Sequence, residues 1–475
     1  MVSFKSLFIV IYLTLSFLLF LTFKASSLVW TSFFVNAMVV LAITIYHLYY
    51  EKKYSPFLSS YIVFNYLFLL AAPITQINSF FEVSKPKFVN NFPFDEGLTV
   101  YTNILILVFN VIFILSYILI KRQVKLNKNN FEVNKVNKYQ PFHIIILFLV
   151  VLVVFGISFS FIKEEFINPN WLKSGATSKS MLLIWKKFLF MIPLTGVILC
   201  YNYIKTAKKR KLNFQIICVA FIFFLFLLFW FKNPLTEKRN ALGPIYLSLL
   251  FLFSPKLINS NLKTLSFLFF AMIIAFPLMA MITHSDATLL EIYNSPSIII
   301  KEIKGGGITN AFNTLNYDAF SNISVSIDWV RNYGFSYGYQ LLGGLLFFVP
   351  RSIWPSKPYS SGQLVGEHLV DNYNFNFTNL SNPLVSEGFL NFGILGVIVF
   401  PIILAYTIIV MYKWLHQNSI LKKILAFYFA MHLLFLLRGD FTNGFAYFIG
   451  PLLAIIYLPK FINSFIRSLT KSSHK

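Results

Sequence analysis

Charge is scarce in this chain. Only 12% of its 475 residues are Asp, Glu, Lys or Arg, against about 25% in a soluble globular domain. With 57% hydrophobic residues, a water-soluble fold is excluded. Cysteine is scarcer still: Cys200 and Cys218 both lie in apolar runs, which rules out a disulfide framework and a thiolate metal site. No HExxH, DxD, GxGxxG or P-loop pattern occurs, and each of those would have signalled metal or phosphate chemistry on a defined scaffold. No metal and no cofactor are therefore expected. Acid is short relative to base, with a net charge of +23. That surplus points to nucleic acid only when it forms a patch on a soluble domain. Here the cations sit in short loops between apolar runs, so no nucleic-acid partner is expected. Neither a transporter-like internal repeat nor a low-complexity tract is present.

What the chain does have is a succession of long apolar runs. Spans fall at about 7–23, 28–50, 56–76, 99–120, 141–162, 181–204, 213–231, 240–258, 264–283, 388–412, 422–437 and 441–459. The first run is long for a signal sequence and is followed at once by another, so it reads as a span. The run at 240–258 carries Pro244 and Pro255, and the one near 424–437 is short. The expected fold is an all-α polytopic integral membrane protein of about 12 transmembrane helices, set in a lipid bilayer. With both termini in the cytoplasm, 23 of the 40 Lys and Arg fall on inner segments, including the KKRK run at 208–211 and the 121–140 loop. Dense cations on the inner side follow the positive-inside rule. Only Glu51 and Glu132 among the acids are inner.

Three regions result: spans one to nine over 1–283, an outer loop over 284–387, and spans ten to twelve with a basic tail over 388–475. The outer loop has 104 residues, and loops of that length usually carry function. Its 308–329 stretch has Phe312, Leu315, Phe320, Ile323 and Ile327 near one helical face, which predicts an amphipathic helix lying on the membrane. Further on, LLGGLLFFVPRSIWPSKP at 341–358 is too short to cross a bilayer and re-enters its edge at most. It ends in Arg351, Trp354 and Lys357 between prolines, a rigid exit suited to an anionic headgroup or to simple interfacial anchoring. Aromatic rings recur through the loop. Trp354, Tyr359 and Tyr339 are candidates to stack on sugar faces, or to sit at the interface.

Charge at membrane depth is costly and marks function by default. It stands out at Lys238 and Arg239, at Arg351 and Lys357, at Glu387, and at Arg438 and Asp440 in an Arg-Gly-Asp turn. Arginine forks pair phosphate oxygens bidentately, so several around one loop can grip a pyrophosphate. A lone arginine more often snorkels to headgroups. Glu387 opens an apolar helix, where it complements the dipole or acts as a general base in a partly dry site. His368 is a second base candidate, and His284 with Asp286 a weaker pair. The sequons at Asn322, Asn376 and Asn379 match a short, chance-prone pattern and carry no weight.

The run YDAFSNISVSIDWVRNYGFSYGYQLLGGLLFFVPRSIWPSKP (317–358), with SEGFLNFGILG (386–396) and the TEKR and RGD turns, resembles the Wzy-type O-antigen polymerases, or oligosaccharide repeat-unit polymerases. The PRxxWPxKP core and the ExxxNFG stretch carry most of that resemblance. The resemblance implies a bacterial inner-membrane glycosyltransferase that joins undecaprenyl-pyrophosphate-linked oligosaccharides on the outer face, with a chain-length regulator protein as a further candidate partner. It implies metal-free chemistry, with Arg239, Arg351, Arg438 and Lys357 on the pyrophosphate and Glu387, Asp440 or His368 as base. An O-antigen ligase of the same pathway, or a flippase for the lipid-linked unit, are the alternatives.

Overall fold

The computed structural model describes residues 3–82, 85–124, 141–167, 184–207, 212–234, 237, 239–275 and 312–472. Among these residues every extended regular element is helical, with one isolated bridge between Lys87 and Pro93. Among the described residues ten helices are long and apolar enough to cross a membrane, and two shorter ones, Ala241–Phe253 and Asn261–Ile274, stand where the eighth and ninth runs are expected. The 121–140 loop beyond Val124, the KKRK run, Lys238, and His284 with Asp286 lie outside the described residues.

The elements are α1 (Phe4–Leu21), α2 (Ser27–Ile45), α3 (Pro56–Tyr66), α4 (Ala72–Asn78), α5 (Glu96–Arg122), α6 (Pro141–Ile167), α7 (Ile192–Thr206), α8 (Leu212–Phe231), α9 (Arg239–Phe253) and α10 (Asn261–Phe270). After the undescribed stretch come α11 (Ala319–Tyr333), α12 (Tyr339–Leu345), α13 (Ser361–Tyr373), α14 (Leu384–Leu415), α15 (Ile420–Arg438), α16 (Phe441–Leu452) and α17 (Leu458–Ser472). Two apolar cores form. One joins α2, α3, α5, α11 and α14; the other joins α6, α7, α8 and α9. α15 serves both, giving Phe427, Phe429 and Ala430 to the first and Leu421, Leu425 and Tyr428 to the second.

The two ends of the bundle differ. At one end Glu51 is held by His47, Tyr117 and Lys121, and its backbone carbonyl accepts from Asn261 at 3.2 Å. At the other, Gln76 Nε2 donates to Phe312 O at 2.8 Å and Asn90 donates to Asn322 at 2.8 Å. The segment after residue 312 therefore covers that second end.

α11 does not lie on a surface. Every residue from Ala319 to Ile327 is buried. A helix with polar residues on its far side can be buried if those residues find partners, and here they do. Ser324 meets Thr102 at 3.0 Å, Asn322 donates to Ser381 O at 2.8 Å, and Ser326 donates to Asn382 at 3.0 Å. The apolar periodicity is real, but serine and asparagine on the opposite face mark paired contacts rather than water.

α14 is broken near its start. Phe392 and Gly393 leave helical geometry, and Gly393 takes φ +61°, a left-handed conformation that favours glycine. The short half, 384–391, turns back closely on the long half. A Cβ on Gly396 would lie 1.8 Å from the Gly388 carbonyl oxygen. The break frees backbone carbonyls that lipid cannot satisfy. The turn after α11 supplies the donors: Ser336 N–H reaches Leu390 O at 3.0 Å, and Tyr337 N–H reaches Asn391 O at 3.0 Å. Asn391 Oδ1 accepts from Gly338 N–H at 3.1 Å. The ExxxNFG stretch is thus a built kink, and a single span beginning at 388 does not describe it.

Candidate functional site

Arg438 ends α15 and Asp440 caps the start of α16, with Gly439 alone between them. A Cβ at Gly439 would lie 2.9 Å from Phe435 O, so a larger residue would open the turn. The tight reversal sends both charged side chains to one crevice of about 570 Å³ at the Gln76–Asn90 end of the bundle. Its far wall is the 376–381 segment, and Asp318, the residue before α11, closes one side. That wall is held close because α13 presents glycine to it. A Cβ on Gly362 would meet Leu380 O at 2.2 Å, and one on Gly366 would meet Thr378 O at 2.2 Å.

The Arg438 guanidinium donates through Nη2 to Leu315 O at 2.7 Å and to Asp318 Oδ1 at 3.0 Å. Its Nε is buried without a partner. About a quarter of the side chain is exposed (24%), so donor capacity remains. Asp318 is anchored in turn by Ser381 Oγ at 2.7 Å. Asp440 is buried and caps α16: Oδ1 accepts from Asn443 N–H at 2.8 Å and Oδ2 from Asn443 Nδ2 at 2.8 Å. Burial pushes its carboxyl above the ordinary aspartate range, against the pull of the Asn443 hydrogen bonds.

Glu387 does not line this crevice. It is 1% exposed, and Oε1 accepts from the Phe441 N–H at 2.7 Å and from the Ser361 hydroxyl. It therefore serves the N-terminus of α16 rather than that of its own helix, and ties α13, α14 and α16 together. Its Oε2 is buried without a partner. His368 is separate again. Its Nε2 faces Asp328 Oδ2 at 2.9 Å, its Nδ1 meets Asn372 at 3.1 Å, and Tyr373 donates to the same Asp328 oxygen at 2.7 Å. The His368 hydrogen bond holds the Asp328 carboxyl below its usual range.

The 346–359 loop also stands apart from the crevice. Arg351 donates to Lys357 O and, at 3.4 Å, to Pro358 O, with its guanidinium 4.4 Å from the Tyr359 ring. Lys357 Nζ donates to Phe347 O at 2.8 Å and Val349 O at 3.0 Å. Trp354 Nε1 donates to Ser356 Oγ at 3.1 Å, and its ring lies 6.3 Å from that of Tyr339. These residues satisfy one another. Arg239 opens α9, and its side chain lies outside the description.

Of the sequence candidates, Arg438 and Asp440 are brought together. Asp318, Tyr447 and the 376–381 wall were not singled out by sequence. Lys187, a lysine inside an apolar helix with its ammonium against the Tyr447 ring, carried a usable signal: charge at membrane depth.

The molecule is an all-α, multi-pass membrane protein with a charged crevice at one end of the bundle. Residues 380–472 match the family model for the O-antigen polysaccharide polymerase Wzy. The matched segment contains Glu387, Arg438, Asp440 and Tyr447, and leaves out Arg239, Arg351, Lys357 and His368. No curated protein and no solved structure matches the chain significantly.

Proposed function

We propose that this protein polymerises oligosaccharide repeat units carried on undecaprenyl pyrophosphate, at the outer face of a bacterial inner membrane. One observation carries the reading: a guanidinium and a carboxylate face the same crevice from a single tight turn, inside the segment that matches the polymerase family. In the reaction an acceptor hydroxyl attacks the anomeric carbon of the donor glycan. Its proton passes to Asp440, the new C–O bond forms, and the bond to pyrophosphate breaks. Arg438 takes the charge that develops on the departing diphosphate, a role that fixed cations fill without rearrangement. Asp318 holds the guanidinium fork at the crevice. The raised carboxyl of Asp440 is a stronger base than an ordinary aspartate. On this reading the chemistry asks for no metal.

Deleting the gene and separating surface glycan on a gel tests the proposal. A ladder that collapses to a single repeat supports a polymerase. Loss of all glycan from its final carrier would assign the chain to ligation or flipping instead.

A further inference from the structure

The crevice has two unlike sides. Asp318, Arg438 and Asp440 make one side charged, and the 376–381 wall makes the other neutral. That wall is a strap laid back along α13. Asn374 ends the helix in a left-handed turn at φ +54°, which asparagine tolerates. From there Phe375 N–H donates to Leu369 O at 3.2 Å, Thr378 O packs where Gly366 lacks a Cβ, and Leu380 N–H donates to Gly362 O at 3.4 Å. Phe375 and Leu380 are buried. The strap is thus fixed at both ends, while Asn376, Phe377, Thr378 and Asn379 between them are exposed. Phe375 braces the Phe377 ring edge-on, with centroids 5.7 Å apart, and Phe377 is still 58% exposed. Trp354, Tyr359 and Tyr339, the rings that sequence offers for stacking, do not line the crevice, whereas Phe377 does.

We propose that this strap is the sugar subsite of the crevice and selects the repeat unit; this rests on the function proposed above. A sugar ring lies on Phe377, and its hydroxyls meet the amides of Asn376 and Asn379. The side-chain chemistry suits a sugar better than an anion. A phosphate oxygen takes donors alone, whereas an asparagine amide both donates and accepts, as a hydroxyl does. A sugar ring also carries a face of C–H groups, which packs on an aromatic ring. Because the backbone of the strap is already held, little ordering is lost on binding.

The test uses the full chain purified in detergent. The probe is the single repeat cut from the host cell's surface glycan and freed of lipid and phosphate, and saturation-transfer NMR is the readout. The unaltered chain is expected to pass magnetisation to the sugar C–H protons. Phe377→Leu keeps an apolar side chain but removes the ring, and is expected to weaken binding about three- to tenfold, the scale of one aromatic contact. Phe377→Trp should stay close to the unaltered chain, and Asn376→Ala combined with Asn379→Ala should weaken binding as Phe377→Leu does. Equal binding by Phe377→Leu and the unaltered chain overturns the proposal, as does an unaltered chain that binds no repeat. So does a loss in Phe377→Leu that Phe377→Trp fails to restore. Repeat binding that depends on Phe377, in a cell where gene deletion strips all glycan from its final carrier, would remove the polymerase reading and leave this subsite standing. A ladder that collapses to one repeat, with repeat binding indifferent to Phe377, would do the reverse.

Discussion

The turn at 438–440 and the loop at 346–359 each offer an arginine beside a chain-bending residue, near the same end of the bundle. In sequence they have equal standing. In the structure Arg438 shares its fork between one carbonyl and one carboxylate and keeps Nε without a partner. Arg351 is exposed, turned onto carbonyls of its own loop and set against the Tyr359 ring. A guanidinium carries five donors, and each of these two uses a pair of hydrogen bonds within the chain, so what matters is where the rest face. Arg438 lines the crevice beside a carboxylate, whereas Arg351 lies outside it and braces its own loop.

The sharpest way to break this contrast is to remove each arginine in turn. Arg438→Ala should abolish long glycan chains while the protein stays in the membrane, a loss on the scale of about 10²–10³ for one electrostatic donor. Arg351→Ala should shift chain yield by no more than about threefold, as surface changes usually do. A glycan gel with a membrane immunoblot reads both, and equal losses would erase the distinction. Next in size is Glu387. As a latch, it should tolerate Glu387→Gln, whose amide oxygen still accepts from the Phe441 N–H. Glu387→Ala should cost about 1–3 kcal/mol by leaving buried donors unmet, read as a lower melting temperature. Loss of turnover in a well-folded Glu387→Gln protein would make Glu387 a base instead.

Asp440 gives a smaller, pH-dependent effect. Its carboxyl is raised by burial, so the acid limb of kcat/KM should lie above the ordinary aspartate value of about 3.9, with rate gained as the proton leaves. Stability should run the other way. The protonated form suits the buried site, so this contribution is complete below the unfolded pKa and lost as pH rises through the folded one. Asp440→Asn should flatten that stability trend, and an unchanged trend would show that the group does not titrate there. Smallest of all is Lys357→Met, expected to loosen the 346–359 loop without altering chain length, as measured by protease sensitivity against a glycan gel.

Most of the helical layout was legible because runs of about twenty apolar residues have few other uses. What escaped was set by partners far along the chain. The 308–329 stretch read as a surface helix because Ser324 and Ser326 look like water-facing positions until Thr102 and Asn382 are placed beside them. The kink in α14 was written in Gly388, Gly393 and Gly396, but glycine in an apolar run also fits a straight, closely packed helix. At the site, the Arg-Gly-Asp turn was readable as charge out of place. That Glu387 would serve another helix, and that Arg351 would be tied to Pro358, depended on folds of the chain that no local pattern encodes.

One consequence follows from α15, whose flanks belong to both apolar cores and whose last residue is Arg438. The place of the guanidinium at its tip is therefore set by the packing of both cores at once, and a cavity cut into either would reach the crevice through this one helix.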